Sequence, residues 1–259
     1  MDRDTSRETP RDTSPDAWDV LPDSGRLAWW LTAWLRGLES PDALLDAVRR
    51  DDAAHDVAGL PGAPELVPLM LALGPLRSLG AVSAGLALPA EGDPVGLGGP
   101  PAFNHEALEC AEAVVVAGAD LGLVPVRAGR GVVWRCLPAR RRPLPDLGEA
   151  DRGLRLALRE TTVALVGLDV ARWRPEVADE LMNLRHLRVP PAPAGTPPGC
   201  AELAARGRQA LGIVDLALAD DGGAVTAYEI EARRAALQPL AAAGRRALVA
   251  ACSPEAWPG

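Results

Sequence analysis

The sequence predicts an α+β protein, with a small three- to four-stranded sheet and a β-hairpin flanked by N-terminal helices and a helical C-terminal half. Three observations carry this. Leu27, Trp30, Leu31, Trp34, Leu35 and Leu38 recur at helical spacing. Residues 79–88, LGAVSAGLAL, form a small apolar run that suits a strand buried on both faces. Two short apolar runs, 121–127 and 131–137, flank Ala128-Gly129-Arg130-Gly131, the pattern of a hairpin.

In chain order, residues 1–22 are acidic, polar and Pro-containing, and are predicted to be a disordered tail. An α+β core is expected over 23–188. The first helix ends near Gly37, and Ser40-Pro41 supplies an N-cap and first helical residue for the second, whose Leu44, Leu45 and Val48 face inward. A short helix is expected from Glu65 to Leu73, closed by Gly74-Pro75. After the strand at 79–88 comes a Gly/Pro loop, AEGDPVGLGGPPAF, with Asn104 as N-cap of a helix over 105–117. From Leu147 the pattern is helical through Leu154, Leu158, Thr161 and Leu165, and Pro175 starts a further helix. Residues 189–199, VPPAPAGTPPG, read as a Pro-rich linker, and 200–252 as a helical hairpin packing on the core. There Leu203, Ala210, Leu211, Val214 and Leu218 share a face, 220–223 turn, a helix resumes over 224–238, and Pro239 begins another.

The composition excludes several chemistries. All 27 basic side chains are arginine, and Phe, Tyr, Ile, Asn and Gln are scarce, as in a protein from a GC-rich genome. Without lysine there is no Schiff base and no P-loop or kinase lysine. The net charge of −8 makes nucleic acid a poor partner, since phosphate neutralisation dominates that affinity. Half of the excess lies in residues 1–24, which hold seven acids and three arginines. Four dispersed cysteines and three histidines build no structural zinc motif, so no metal or cofactor is implied, and free thiols in a reducing cytoplasm are expected. The N-terminus lacks the basic start and apolar core of a signal peptide. The most membrane-like stretch, Leu66–Ala90, is broken by three prolines and Arg77, so no membrane span is expected.

Candidate sites are few. Arg127, Arg130, Arg135, Arg140, Arg141 and Arg142 crowd the hairpin with no acid among them, around Trp134. Arginines so placed can grip phosphate oxygens in pairs, or be a solvated tip whose charge is met by acids elsewhere. Trp134 shares a strand face with Val132 and Cys136, which marks it as core. The loop glycines Gly92, Gly96, Gly98 and Gly99, before a helix, could cradle a phosphate through backbone N–H groups, or simply turn the chain. Pro94, Pro100 and Pro101 weaken the cradle because they lack N–H donors. His105, Glu109 and Glu112 fall on one side of the expected helix and could be a metal or acid/base trio, or capping and surface groups. His55 and His186 read as solvated. Trp29 falls off the apolar stripe, and could meet a partner or a neighbouring helix.

The blocks LMLALGPLRSLGAVSAGLALPAEGDPVGLGGPPAFN and RWRPEVADELMNLR resemble conserved proteins of unknown function from high-GC actinobacteria. The resemblance covers most of residues 25–252. It implies a soluble cytoplasmic bacterial protein and carries over no activity, cofactor or catalytic residue.

Three functional readings follow. The first is a non-enzymatic cytoplasmic protein-interaction module or homo-oligomer. The second binds a phosphate-bearing small molecule or nucleotide between the loop and Arg127, Arg130 or Arg135, and requires those side chains to converge there. The third is a metal-dependent or acid/base enzyme at His105, Glu109 and Glu112, which requires a shared cleft.

Overall fold

A computed structural model describes residues 21–63, 65–140, 144–167, 189–219 and 227–257. The expectations for the tail up to residue 20, for Arg141 and Arg142, for His186, for the helix starting at Pro175 and for the turn at 220–223 lie outside the described residues. The elements are α1 (Asp23–Leu35), α2 (Pro41–Arg49), β1 (His55–Ala58), β2 (Leu66–Pro68), α3 (Leu69–Ser78), β3 (Ser83–Ala87), α4 (Pro101–Cys110), β4 (Ala113–Ala117), β5 (Leu121–Ala128), β6 (Gly131–Pro138), α5 (Leu147–Gly167), α6 (Pro198–Ala219) and α7 (Ala227–Ala251).

The class is α+β, but the sheet has six strands rather than three or four, in the order β2-β1-β6-β5-β4-β3. β1 runs parallel to β6, and the other pairs are antiparallel. Two of the added strands, β1 and β2, are four and three residues long, too short to display an alternation. The third, β4, replaces the second half of the helix expected over 105–117. Its AVVVA run is β-branched and buried, which favours a strand. Pro101 opens α4 in the usual first-turn position, and Ala111, in the left-handed conformation, ends it. Asn104 is therefore inside the helix, and its Oδ1 accepts the Gly99 N–H at 3.0 Å.

Two prolines expected at helix boundaries lie inside helices. Pro75 is in α3, which starts later than expected because Leu66–Pro68 joins the sheet. Pro75 removes the helical partner of the Leu71 carbonyl, and Leu71 is exposed, so water can serve instead. Pro239 likewise sits on an exposed side of the continuous helix α7. Ser40 caps α2 as expected, its Oγ accepting the Ala43 N–H. The hairpin turns at Gly129-Arg130, with Ala128 opposite Gly131.

The two sheet faces have separate cores. On one, Leu27 and Leu31 of α1 pack with Leu86, Val114, Leu123, Val57 and Trp134. On the other, Phe103 and Ala107 of α4 pack with Ala87, Ala113 and Val124. Helices α5, α6 and α7 pack on one another, α7 also against β3.

The free edge of β3 is closed by side chains and by the segment after α7. Thr32 Oγ1 accepts the Ala84 N–H and donates to the Ala84 carbonyl, and the Leu86 N–H reaches Ser253 Oγ at 3.2 Å. Ser83 Oγ donates to Glu255 Oε1 at 2.7 Å. An edge covered in this way does not offer a template for another strand.

Candidate functional site

The hairpin register decides where its arginines go. Arg127 lies opposite Val132, so it shares the α1 face with Trp134, whereas Arg135 lies opposite Val124 on the α4 face. Arg127 forms ion pairs with Asp23 Oδ2 and Asp52 Oδ1, both at 2.7 Å. Arg135 pairs with Glu106 of α4. Arg130 is exposed at the turn. These three side chains do not converge on the Gly-rich loop.

That loop is bound into the fold by its own groups. Gly96 is buried with φ of +87°, and a Cβ there would meet the Ala87 backbone at 2.6 Å. The Gly99 N–H is taken by Asn104, and the Gly99 carbonyl accepts the Arg140 N–H at 2.7 Å. Gly98 is half-buried beside them. The loop presents a carboxylate, Asp93, which lies between Arg245 and Arg246 of α7 at 2.9 Å from each.

The trio expected on one helix is split. His105 and Glu109 form an exposed pair at 3.2 Å on α4. Glu112 lies beyond the helix end, on the α1 side of the sheet, where its Oε2 accepts the Ser24 N–H at 2.8 Å. Among the described residues no group of three His, Cys, Asp or Glu side chains is placed to hold a metal ion. Trp29 is buried, and its Nε1 donates to the Ala251 carbonyl at 3.0 Å, so it contacts α7 rather than solvent. Trp257 Nε1 donates to the same carbonyl at 2.9 Å.

What the fold assembles is a polar cluster at one end of the sheet, under the N-terminus of α1. Arg127 bridges Asp23, the first residue of α1, and Asp52, in the turn before β1. Arg26 pairs with Asp23 and donates to the carbonyls of Leu21 and Val48. Asp52 Oδ2 lies 2.9 Å from His55 Nε2, and Trp134 Nε1 donates to His55 Nδ1 at 3.1 Å. An indole N–H can only donate, so Nδ1 carries the lone pair and Nε2 holds the proton given to Asp52. Both ring nitrogens are thereby engaged. His55, expected to be solvated, is instead a buried linker between an indole and a carboxylate.

The electrostatics follow from this geometry. Burial pushes the Asp52 carboxyl up, but hydrogen bonds from His55 and Arg127, with the Arg127 charge, outweigh it and hold Asp52 below the usual range. Glu112 goes the other way: burial and the neighbouring Asp23 charge raise it, against the Ser24 N–H and Arg26. Desolvation alone would lower Arg127, yet its two carboxylates raise it further. The Pro22 cap position of α1 has no side chain to offer, so Glu112 supplies the missing acceptor from another element. The helix dipole favours both acids there. None of the cysteines is an activated nucleophile: burial pushes Cys136 and Cys200 up to about 11, Cys252 higher than usual, and Cys110 up with help from Glu112.

Sequence reasoning missed Asp23 and Asp52 as partners of Arg127, and Glu112 as the acceptor of the Ser24 N–H. The available signal was strand parity: a two-residue turn at 129–130 already puts Arg127 on the Trp134 face and Arg135 on the opposite one.

The family comparison covers most of this framework. The model of the Rv1486c-like protein N-terminal domain matches residues 24–147, and that of its C-terminal domain matches 148–249. The chain belongs to the Rv1486c-like family. The first match holds the sheet, α1 from its second residue, α2 to α4 and the polar cluster apart from Asp23, which lies one residue before it; the second begins one residue into α5. Uncharacterized protein Rv1486c of Mycobacterium tuberculosis (strain ATCC 25618 / H37Rv) is 32% identical over 211 residues, covering 63% of this chain and 73% of the relative. Uncharacterized protein MT1533 of the CDC 1551 / Oshkosh strain matches to the same extent. The chain is thus a conserved actinobacterial protein, as its resemblance implied. No solved structure matches it. No described helix is long and apolar enough to cross a membrane.

Proposed function

We propose that this Rv1486c-like protein is a non-enzymatic cytoplasmic interaction module that works by contact with another protein surface, in the simplest case a second copy of itself. The observation that supports this reading most is on α5. Leu156 and Val163 are seven residues apart, hence on one helix face, and are 54% and 74% exposed. Arg152, Arg159 and Glu160, also exposed, surround them. An apolar centre with a charged rim is how protein interfaces are built. In the polar cluster, by contrast, both nitrogens of His55 and the carboxylates of Asp23 and Asp52 are taken up by one another and by Arg127.

Native mass spectrometry of protein purified gently at micromolar concentration tests the reading. A homo-oligomer that Leu156→Glu with Val163→Glu converts to monomer is the expected result. A monomer carrying a bound small molecule would overturn it.

A further inference from the structure

Two surfaces of this fold carry matching patterns of opposite charge, one on the sheet and one on α5. The sheet surface lies on the α4 side. Strand pairing sets Pro68 of β2, Asp56 of β1, Val133 of β6 and Val126 of β5 side by side in one row across it. α4 packs against β5 and β6, whereas α3 reaches β1 and β2 from the other face, where Val57 and Val67 are buried. The β2–β1–β6 part of the α4 side is therefore open among the described residues. Pro68 is exposed there, Leu66 is 53% exposed, and Asp56, Ala58 and Val133 are half-buried. Arg135, on the same face, already has Glu106. Asp56 has no ion pair or side-chain hydrogen bond among the described residues. A partner that buries this apolar surface takes the Asp56 carboxylate out of water, and must bring a cation to it.

The exposed side of α5 has that form. Arg152, Leu156, Arg159 and Val163 follow at spacings of four, three and four, so they make one stripe, and Leu154 and Ala157 face the interior. Arg159 stands between the two apolar side chains and has no ion pair among the described residues. Along the helix it is about 4.5 Å from Leu156 and about 6 Å from Val163. On the sheet, Pro68 and Val133 flank Asp56 at one strand spacing each, about 4.8 Å. The order apolar, charged, apolar thus recurs on both surfaces at nearly the same interval with opposite sign. Both surfaces are exposed within one chain, so they meet only between copies. Two α5 stripes facing each other would instead bring arginines against arginines, which disfavours self-pairing of the helix.

We propose that α5 of one copy lies across the β2–β1–β6 face of a second copy, with Arg159 paired to Asp56 and with Leu156 and Val163 seated on Pro68 and Val133. The inference rests on the interaction role proposed for α5 and names the surface that the helix meets. Each chain carries one of each surface, so the contact joins unlike patches.

Sedimentation equilibrium of the full chain at micromolar concentration tests it. Asp56→Arg and Arg159→Asp should each raise the dissociation constant at least about tenfold. An equimolar mixture of these two variants should associate where neither does alone, because one native and one reversed pair then form. Both changes in one chain should restore association to within about threefold of the parent. Asp56→Asn keeps the shape of the side chain, and should weaken association without lowering the melting temperature. A parent assembly that Leu156→Glu with Val163→Glu dissociates, but that Asp56→Arg and Asp56→Asn leave intact, overturns this pairing and leaves the role of α5 standing. Loss in the single variants without rescue by mixing or by the reversed pair overturns it as well. A monomeric parent overturns both readings.

Discussion

The indole N–H of Trp134 on β6 donates to Nδ1 of His55 on β1 at 3.1 Å, across the parallel β1–β6 pairing, with the two rings tilted and 5.9 Å apart. This bond fixes the tautomer of His55, and through Nε2 it fixes the orientation of Asp52. The chain of contacts runs on through Arg127 to Asp23, so one indole on β6 is connected to the first turn of α1.

Trp134→Phe tests that connection. Phenylalanine fills much of the indole space but leaves Nδ1 of a buried histidine without a donor. An unsatisfied buried polar atom costs about 1–3 kcal/mol. Urea denaturation should show a loss in that range at pH 7, plus the packing loss of a smaller ring. A change below about 0.5 kcal/mol would mean that the indole N–H contributes nothing, since that is the scatter of ordinary surface substitutions.

Asp52 makes the fold acid-sensitive. Its carboxyl is lower in the folded state than in the unfolded chain, where aspartate titrates near ~3.9. Its contribution is therefore present above the unfolded value and lost as pH falls through the folded one. In Asp52→Asn this part of the acid limb disappears: the variant is less stable than the parent at pH 6, and the difference narrows toward pH 2. A constant difference across that range in thermal melts would contradict the assignment.

Glu112 predicts the opposite sign. A carboxyl raised by burial and by Asp23 binds its proton more tightly when folded. Its contribution is present below the unfolded glutamate value, near ~4.3, and is lost as pH rises through the folded one. Glu112→Gln keeps an oxygen for the Ser24 N–H and removes the charge. Its melting temperature should exceed that of the parent at pH 8, with the gain shrinking as pH approaches 4. A lower melting temperature at pH 8 would show that the charge at the α1 N-terminus outweighs its burial.

Gly122 of β5 packs directly against the Phe103 ring of α4. A Cβ at Gly122 would fall within the Phe103 ring. Gly122→Ala should cost about 1–3 kcal/mol through overpacking. In the Phe103→Leu background the same substitution should cost measurably less, because the smaller side chain can give way. Additive losses in the double variant would place the strain elsewhere.

The sequence by itself determined the class, the hairpin and its turn, the cap at Ser40, the burial of residues 83–87, the helices beginning at Leu147 and spanning 200–218, and the family resemblance. These rest on local rules: periodicity, turn residues and caps act within a few positions of the chain. Tertiary structure alone decided the rest. β1 and β2 are too short to announce themselves and exist because β6 and one another supply the hydrogen bonds. The valines of β4 override a helical reading because they are buried within the sheet. Pro75 and Pro239 remain inside helices because their exposed sides let solvent replace the lost bond. His55, Asp52, Arg127, Asp23 and Glu112 come together across up to 104 residues of sequence, a separation over which no spacing rule operates. Only the pairing of distant strands, by setting which face each side chain takes, brings those charges into contact.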